Sequence, residues 1–223
     1  MDIGRAQAPT CRDTKLEVDL AAYDNSWYRP GRPLWMQALW FFFGLPLMRC
    51  QFIPSSAFRR VLLRAFGATI GARVVIKPGV RVKYPWRLRI GDHSWIGEDV
   101  WLDNIGNVEI GSHVCISQGA YLCTGNHDWS DPAFGLRVQE IAVGDRAWIG
   151  AKAIICPGIH LGQGAIAAAG SVLTRSVGDY EIYGGNPASK VSVRTLYKRT
   201  AAGCYSPQST SELGHPNETP TSR

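Results

Sequence analysis

The sequence predicts an all-β fold, a parallel β-solenoid, and three positions of a six-residue repeat predict it independently. The first position is aliphatic: Ile70, Ile76, Ile90, Ile96, Ile110, Ile116, Val143, Ile149, Ile155, Leu161 and Leu173, with Ala167 in the same slot. The second is small: Gly71, Gly91, Gly97, Gly111, Gly144, Gly150, Gly162 and Ala168, with Lys77, Ser117, Cys156 and Thr174 as exceptions. The fifth is small or β-branched: Val74, Val80, Ser94, Val100, Val114, Ala120, Ala147, Ala153, Ile159, Ala165, Ser171 and Val177. Neither an amphipathic helix nor a hairpin sheet repeats at six.

Each hexad reads as one short strand and one turn. The aliphatic and fifth-position side chains are expected to point inward, because alternate strand residues share a face. Glycine at the second position is expected to permit the tight corner between faces. Three hexads close one triangular coil, and coils stack at the ~4.8 Å strand spacing. The repeat breaks at 82–89 (VKYPWRLR), at 103–107 (DNIGN) and, at greatest length, at 125–141 (GNHDWSDPAFGLRVQEI). Breaks in a scaffold carry function more often than its regular coils do, and the polar, Pro- and Gly-bearing long break reads as an excursion from the solenoid.

Outside the repeat, residues 1–66 form an N-terminal region, 67–199 the solenoid domain with its C-terminal extension, and 200–223 a polar tail expected to be disordered. Residues 1–25 carry acids where a secretory signal would be apolar. The apolar run comes later, at 34–48 (LWMQALWFFFGLPLM). It falls short of the ~20 residues of a spanning helix, and Gly44 and Pro46 interrupt it. Two readings of 34–53 stay open. Flanked by Arg29, Arg32, Arg49, Arg59, Arg60 and Arg64, it is either an in-plane membrane element gripping anionic headgroups or a helical cap that covers the open end of the solenoid or packs on a neighbouring subunit.

Composition narrows the class. An apolar fraction of 45% belongs to a folded globular chain. The net charge of +6 permits anionic lipid, phosphate or acidic sugar partners, although a solvated basic surface is the commoner meaning. No nucleic-acid motif is present. The six cysteines (Cys11, Cys50, Cys115, Cys123, Cys156 and Cys204) show no CxxC spacing and read as reduced thiols of a cytosolic protein.

Short motifs then narrow the chemistry. Cys123-Thr124-Gly125-Asn126-His127-Asp128 opens the long break. It is followed by Ala147-Trp148-Ile149-Gly150-Ala151, Pro157-Gly158, Ala169-Gly170-Ser171-Val172 and Gly185-Asn186-Pro187-Ala188. This ordered set resembles the sugar O-acetyltransferases of the galactoside and nodulation type, within the hexapeptide-repeat acyltransferase superfamily. Tyr28-Arg29-Pro30-Gly31-Arg32-Pro33, Ile76-Lys77-Pro78-Gly79 and residues 123–134 are most similar to the colanic-acid-type acetyltransferases of exopolysaccharide synthesis. The resemblance spans roughly residues 25–193. It implies a left-handed β-helix, a hand that periodicity does not give, since parallel crossovers are normally right-handed.

The resemblance implies His127 as general base. That makes chemical sense, because a sugar hydroxyl attacks a thioester poorly unless a neutral imidazole takes its proton. The other histidines read as ordinary surface residues: His93 and His113 at outward turns, His160 at a corner, His215 in the tail. Asn126 and Asp128 are candidates for orienting the ring or binding the acceptor, with simple turn roles as the alternative. Asp103 and Asn104 are candidate acceptor contacts. For acetyl-CoA as co-substrate, the resemblance implicates Ala151 and Ala169 through backbone groups. It puts Thr174, Arg175 and Lys190 near the nucleotide phosphates, with Ser189 standing where a basic residue is the pattern. Trp148 either stacks or packs, and packing is expected. Oligomeric relatives of this kind imply a homotrimer. Acetyl-CoA and lipid-carried saccharides imply a cytoplasmic site, peripheral at the inner face of the membrane.

Three other functions compete with this one. A γ-carbonic-anhydrase-like zinc enzyme needs converging histidines, two of them close together on one coil, and none of the five lies close to another in sequence, so no metal site is expected. A sugar nucleotidyltransferase needs an α/β domain for which the stretch before Ile70 is too short. A catalytically inactive β-helix scaffold is disfavoured by the presence of His127 in its motif.

Overall fold

A computed structural model describes residues 17–199 and 205–207. It divides into two units, one of Pro30–Gly125 with Val138–Arg223 and one of Met1–Arg29 with Asn126–Arg137. The first unit is a parallel β-helix of three faces. One face stacks Thr69–Ile70, Leu88–Ile90, Val108–Ile110, Ile141–Val143 and His160–Leu161. The second runs from Val75–Ile76 through Trp95–Ile96, Cys115–Ile116, Trp148–Ile149 and Ile166–Ala167 to Glu181–Gly185 and Ala188–Val193. The third stacks Arg81–Val82, Trp101–Asp103, Tyr121–Cys123, Ile154–Ile155 and Val172–Leu173. Ile70, Ile90, Ile110, Val143 and Leu161 lie in register along the first face, as the hexad numbering requires. Every first-position and fifth-position residue of the repeat is buried, and together they make the core.

The breaks are shorter than the sequence suggested. Val82 and Leu88 keep their ladder positions and stay buried, so the first interruption narrows to the stretch around a 3-10 turn, Pro85–Arg87. Asp103 likewise belongs to a strand.

The second-position glycines serve a different need from the one expected. None has a positive φ; the left-handed residues sit two places later, at Arg73, His93, Asp99, His113, Arg146 and Lys152. What the glycines supply is clearance between coils. A Cβ on Gly91 would lie 2.6 Å from the carbonyl carbon of Gly111, and one on Gly150 would lie 2.5 Å from the amide nitrogen of Ala169.

The N-terminal part of this unit is helical. Helix α1 (Leu34–Leu39), a π-helical stretch (Trp40–Gly44) and helix α2 (Leu45–Arg49) run on from one another, and α3 (Ser56–Ala65) follows. A Cβ on Gly44 would meet the Trp40 ring at 2.1 Å, so glycine there lets the indole fold against the helix. Trp40 and Met48 are buried, and Trp40 Nε1 donates to Val82 O at 3.0 Å. Helix α3 closes the open edge of the first coil: Ser56 Oγ accepts from Ile76 N at 2.8 Å, Arg60 donates to Val74 O at 2.7 Å, and Arg64 donates to Ile70 O at 2.6 Å. An uncovered strand edge invites mispairing, and these side chains occupy it. Arg59 is fully buried and donates to the carbonyls of Met48, Cys50 and Ile53. Arg59, Arg60 and Arg64, candidates for lipid headgroups by sequence, are therefore committed to backbone carbonyls.

The segment is thus a cap on one face. Its other face leaves Leu34, Trp35, Phe41, Phe42, Phe43 and Phe52 exposed. Among the described residues no helix is long and apolar enough to cross a membrane.

After the last coil, Glu181–Gly185 pairs with Ile166–Ala167 and turns back antiparallel as Ala188–Val193. Of the expected tail only Tyr205–Pro207 is described, and it is a strand, antiparallel to Tyr197–Arg199. The rest of 200–223, with Cys204 and His215, lies outside the described residues, as does Cys11. Cys50, Cys115, Cys123 and Cys156 are free thiols.

Candidate active site

The long break is a β-hairpin, with Gly125–His127 paired to Leu136–Val138. His127 ends its first strand. The ring stacks on Phe134 with centroids 4.5 Å apart and planes 8° from parallel, and Tyr23 packs against it at 5.6 Å. Nδ1 lies 2.9 Å from the carbonyl oxygen of Phe134. A carbonyl oxygen only accepts, so Nδ1 carries the proton and, in the neutral ring, Nε2 carries the lone pair. Stacking fixes the plane of the ring and the hydrogen bond fixes its rotation, which leaves Nε2 as the one basic atom the ring can present. Phe134 adopts φ +52°, a left-handed conformation uncommon for a bulky residue.

The flanking polar residues hold the turn. Asp128 Oδ1 accepts from Ser130 Oγ at 2.6 Å and Ser130 N at 3.1 Å, while Oδ2 is paired with Arg137. The Ser130 hydroxyl and amide, with Arg137 adding to them, hold the Asp128 carboxyl below its usual range. Asp128 N donates to Gly135 O at 2.8 Å and Phe134 N to Asp131 O at 2.8 Å, closing the hairpin tip. Asn126 is exposed, and its Oδ1 accepts from the amide of His127 at 2.8 Å. Both residues thus make turn contacts. Phe134 and Tyr23 escaped the sequence reading, since a carbonyl acceptor and a stacking partner leave no motif.

On the third face of the β-helix, Asp103 pairs in register with Cys123. Its carboxylate lies 3.1 Å from Lys83 Nζ and accepts from Tyr121 OH at 3.2 Å. Burial, followed by contacts with Cys123 and Asp103, pushes the Tyr121 phenol well up. Trp101 stacks on Tyr121 at 4.6 Å, and the Arg81 guanidinium sits 4.4 Å over the Trp101 ring. Asp103 is therefore part of a polar-aromatic row that the sequence showed only as one acid. Asn104 departs from its expected role. It is fully buried, accepts from Lys83 N and Tyr84 N at 3.1 and 3.0 Å, and donates to Tyr84 O at 2.7 Å. Its amide staples the preceding coil's break and presents nothing to a sugar.

The residues expected around CoA fall into three groups. Ala151 and Ala169 lie on successive coils, bridged by Gly170 N donating to Ala151 O at 2.8 Å. Thr174 and Arg175 are exposed just past Val172–Leu173. Lys190 is instead paired with Glu181 at 2.5 Å, which raises the ammonium pKa and lowers the carboxyl's, so it is not a free cation. Trp148 does not enter the core; it is half exposed, and Nε1 donates to Ser117 Oγ at 2.9 Å. His93 and His113 stack on each other at 4.9 Å. Among the described residues no group of three or more His, Cys, Asp or Glu side chains could hold a metal ion.

Known proteins resemble this chain in sequence and in fold. The hexapeptide repeat of succinyl-transferase matches residues 140–175. The putative colanic acid biosynthesis acetyltransferase WcaF of Escherichia coli K12 is 40% identical over 136 residues, which is 61% of this chain and 75% of the relative. Chloramphenicol acetyltransferase of Morganella morganii is 34% identical over 113 residues, 41% of this chain and 54% of the relative. Among solved structures, a hexapeptide-repeat acetyltransferase of Vibrio cholerae superposes with a TM-score of 0.65 at 27% identity, covering 72% of this chain and 93% of the other. A galactoside acetyltransferase in complex with coenzyme A shares the fold, at a TM-score of 0.61 and 22% identity over 72% of this chain and 79% of that one. By the extent of its match to WcaF, and by a β-helix whose core follows the six-residue repeat, the chain belongs to the hexapeptide-repeat acetyltransferase family.

Proposed function

We propose that this acetyltransferase moves the acetyl group of acetyl-CoA to a sugar hydroxyl during assembly of an extracellular polysaccharide, with His127 as general base. The observation that carries the reading is the Nδ1–H···O=C bond to Phe134, which commits the ring to the tautomer a base needs. Nε2 takes the hydroxyl proton as the sugar oxygen attacks the thioester carbon. The new C–O bond forms, the C–S bond of the tetrahedral species breaks, and the proton passes to the thiolate to give CoA and the O-acetyl sugar. Asp103, with Tyr121 beside it, is the acceptor contact of this reading. Ala151 and Ala169 hold CoA through backbone groups, and Thr174 and Arg175 meet its phosphates. The polysaccharide role takes its support from the likeness to WcaF.

The working assembly is a homotrimer at the cytoplasmic face of the membrane, held peripherally by the exposed apolar face of the N-terminal helices. A panel of free and lipid-linked sugars, incubated with acetyl-CoA and read by thiol release and mass spectrometry, tests the reaction. Acetyl esters on a sugar hydroxyl are expected. Transfer confined to amino groups, or none to any saccharide, would overturn it.

A further inference from the structure

Between the N-terminal helices and the third face of the β-helix lies a groove of about 490 Å³. This is in the size range of a small-molecule site. Leu34, Ala38, Phe41, Phe42 and Leu45 line one wall, and Val82, Tyr84 and Trp101 the other. Its polar lining is Gln37, Arg81 and Lys83, with no acidic residue among the lining residues. Gln37 is already committed to the carbonyl of Arg32 at 2.7 Å. Both cations belong to the β-helix wall of the groove and neighbour the Asp103 row. Lys83 Nζ lies 3.1 Å from Asp103, and Arg81 covers the Trp101 ring whose other neighbour is Tyr121, the phenol that donates to Asp103.

We propose that this groove binds a hydrocarbon chain carrying a phosphate at its head, so that the acceptor sugar is presented to the enzyme on an anionic lipid. The proposal rests on the sugar-acceptor reading of Asp103 and deepens it by naming what the sugar is attached to. Three features select this occupant. An apolar wall suits a chain with no hydrogen-bonding groups. A peptide laid along it would leave backbone N–H and C=O groups without partners. Both cations lie on the β-helix wall only: Arg81 is left to meet a phosphate, and Lys83, paired with Asp103, joins the groove to the acceptor carboxylate. The Arg81 guanidinium carbon lies 4.4 Å from the Trp101 ring centroid, and its N–H groups are the donors for phosphate oxygens. Finally, Leu34, Phe41 and Phe42 are both lining residues and exposed, so a chain can slide in from an apolar phase without crossing water.

The test uses the full-length protein and n-dodecyl phosphate below its micellar concentration, with inorganic phosphate and dodecanol as controls, read by calorimetry. Saturable dodecyl phosphate binding at least tenfold tighter than either control supports the groove. Equal binding of inorganic phosphate would overturn it in favour of a plain anion site. No binding at all would overturn it too, and would be the result if a second copy of the chain fills the groove. Ala38→Trp fills the cavity from its apolar wall and should weaken dodecyl phosphate binding at least tenfold; Arg81→Ala, on the other wall, should do so severalfold with a smaller salt dependence. Both variants are checked for folding by their thermal transition. In transfer assays, the ratio of kcat/KM for a dodecyl-phosphate-linked sugar to that for the free sugar should fall at least tenfold in Ala38→Trp. An unchanged ratio would overturn the proposal. Tight, groove-dependent binding without acetyl transfer to any sugar would support the groove and sink only the acceptor reading on which it builds.

Discussion

His127 needs one nitrogen free and one direction fixed; the hairpin supplies a carbonyl and the stacked Phe134 ring, and Tyr23 adds a second aromatic contact. Replacing it with Ala should lower acetyl transfer by ~10²-fold or more while CoA binding and the thermal transition are kept. A variant with near wild-type kcat would dismiss the assignment. Asp128 acts one step away, through the shape of the turn. Its carboxyl is favoured in the ionised form by the fold, so its contribution to hairpin order is fully present above the ordinary carboxylate pKa of about 3.9 and disappears as pH falls through the lower folded value. Hydrogen exchange across 126–137 should therefore stay constant from neutral pH to about 5 and loosen below about 4, once corrected for intrinsic exchange. Asp128→Asn should be loose throughout and lose this pH dependence. His127 was legible in the sequence because the motif surrounds it. Phe134 was not, since its part is played by a main-chain oxygen, and the role of Asn104 was hidden because its partners are the backbone of another coil.

The coil is the element, and its glycines divide by physical need. At Gly150 a Cβ collides with the next coil, whereas Gly170 has open space but φ +69°. Asn tolerates the left-handed region and Ala does so less well. Gly170→Asn should therefore be near neutral, while Gly150→Ala, and more so Gly150→Asn, should lower stability by ~1–3 kcal/mol through overpacking. Equal losses at the two sites, measured by thermal melts, would remove the distinction. The repeat announced which residues face inward, because burial is written in side-chain type at fixed spacing. It could not separate clearance from φ, since glycine satisfies both, and it overstated the breaks because Val82 and Leu88 fall outside the hexad count yet remain in the ladder. The cap follows another rule again. Arg59→Ala would empty a buried side-chain site and leave the carbonyls of Met48, Cys50 and Ile53 without this donor. A loss of about 3 kcal/mol or more is expected, seen as a fall in Tm of roughly 6–12 °C. A change under 1 kcal/mol would show that the arginine is dispensable to the cap.

For the whole molecule, capping and membrane contact are separable because they use opposite faces of one helical segment. Trp40 and Met48 are buried in the core, so deleting everything before Ser55 would expose the end of the solenoid and report on folding rather than on attachment. Trp35 and Phe43 are 68% and 63% exposed and neither lines the groove beside Trp101, which makes them the clean probes. Exposed aromatic side chains beside cations such as Arg32 and Arg49 are the pattern of a helix lying in a bilayer interface, where each nearby cation contributes about 1 kcal/mol towards anionic lipid. The full-length chain should co-sediment with vesicles containing anionic lipid at low salt, and less as salt screens the headgroups. Trp35→Ser combined with Phe43→Ser should abolish co-sedimentation and leave the thermal transition and acetyl transfer to a free sugar intact. If instead this pair leaves vesicle binding unchanged but converts a trimer seen by light scattering into monomers, the exposed face belongs to a subunit contact and the peripheral attachment is wrong.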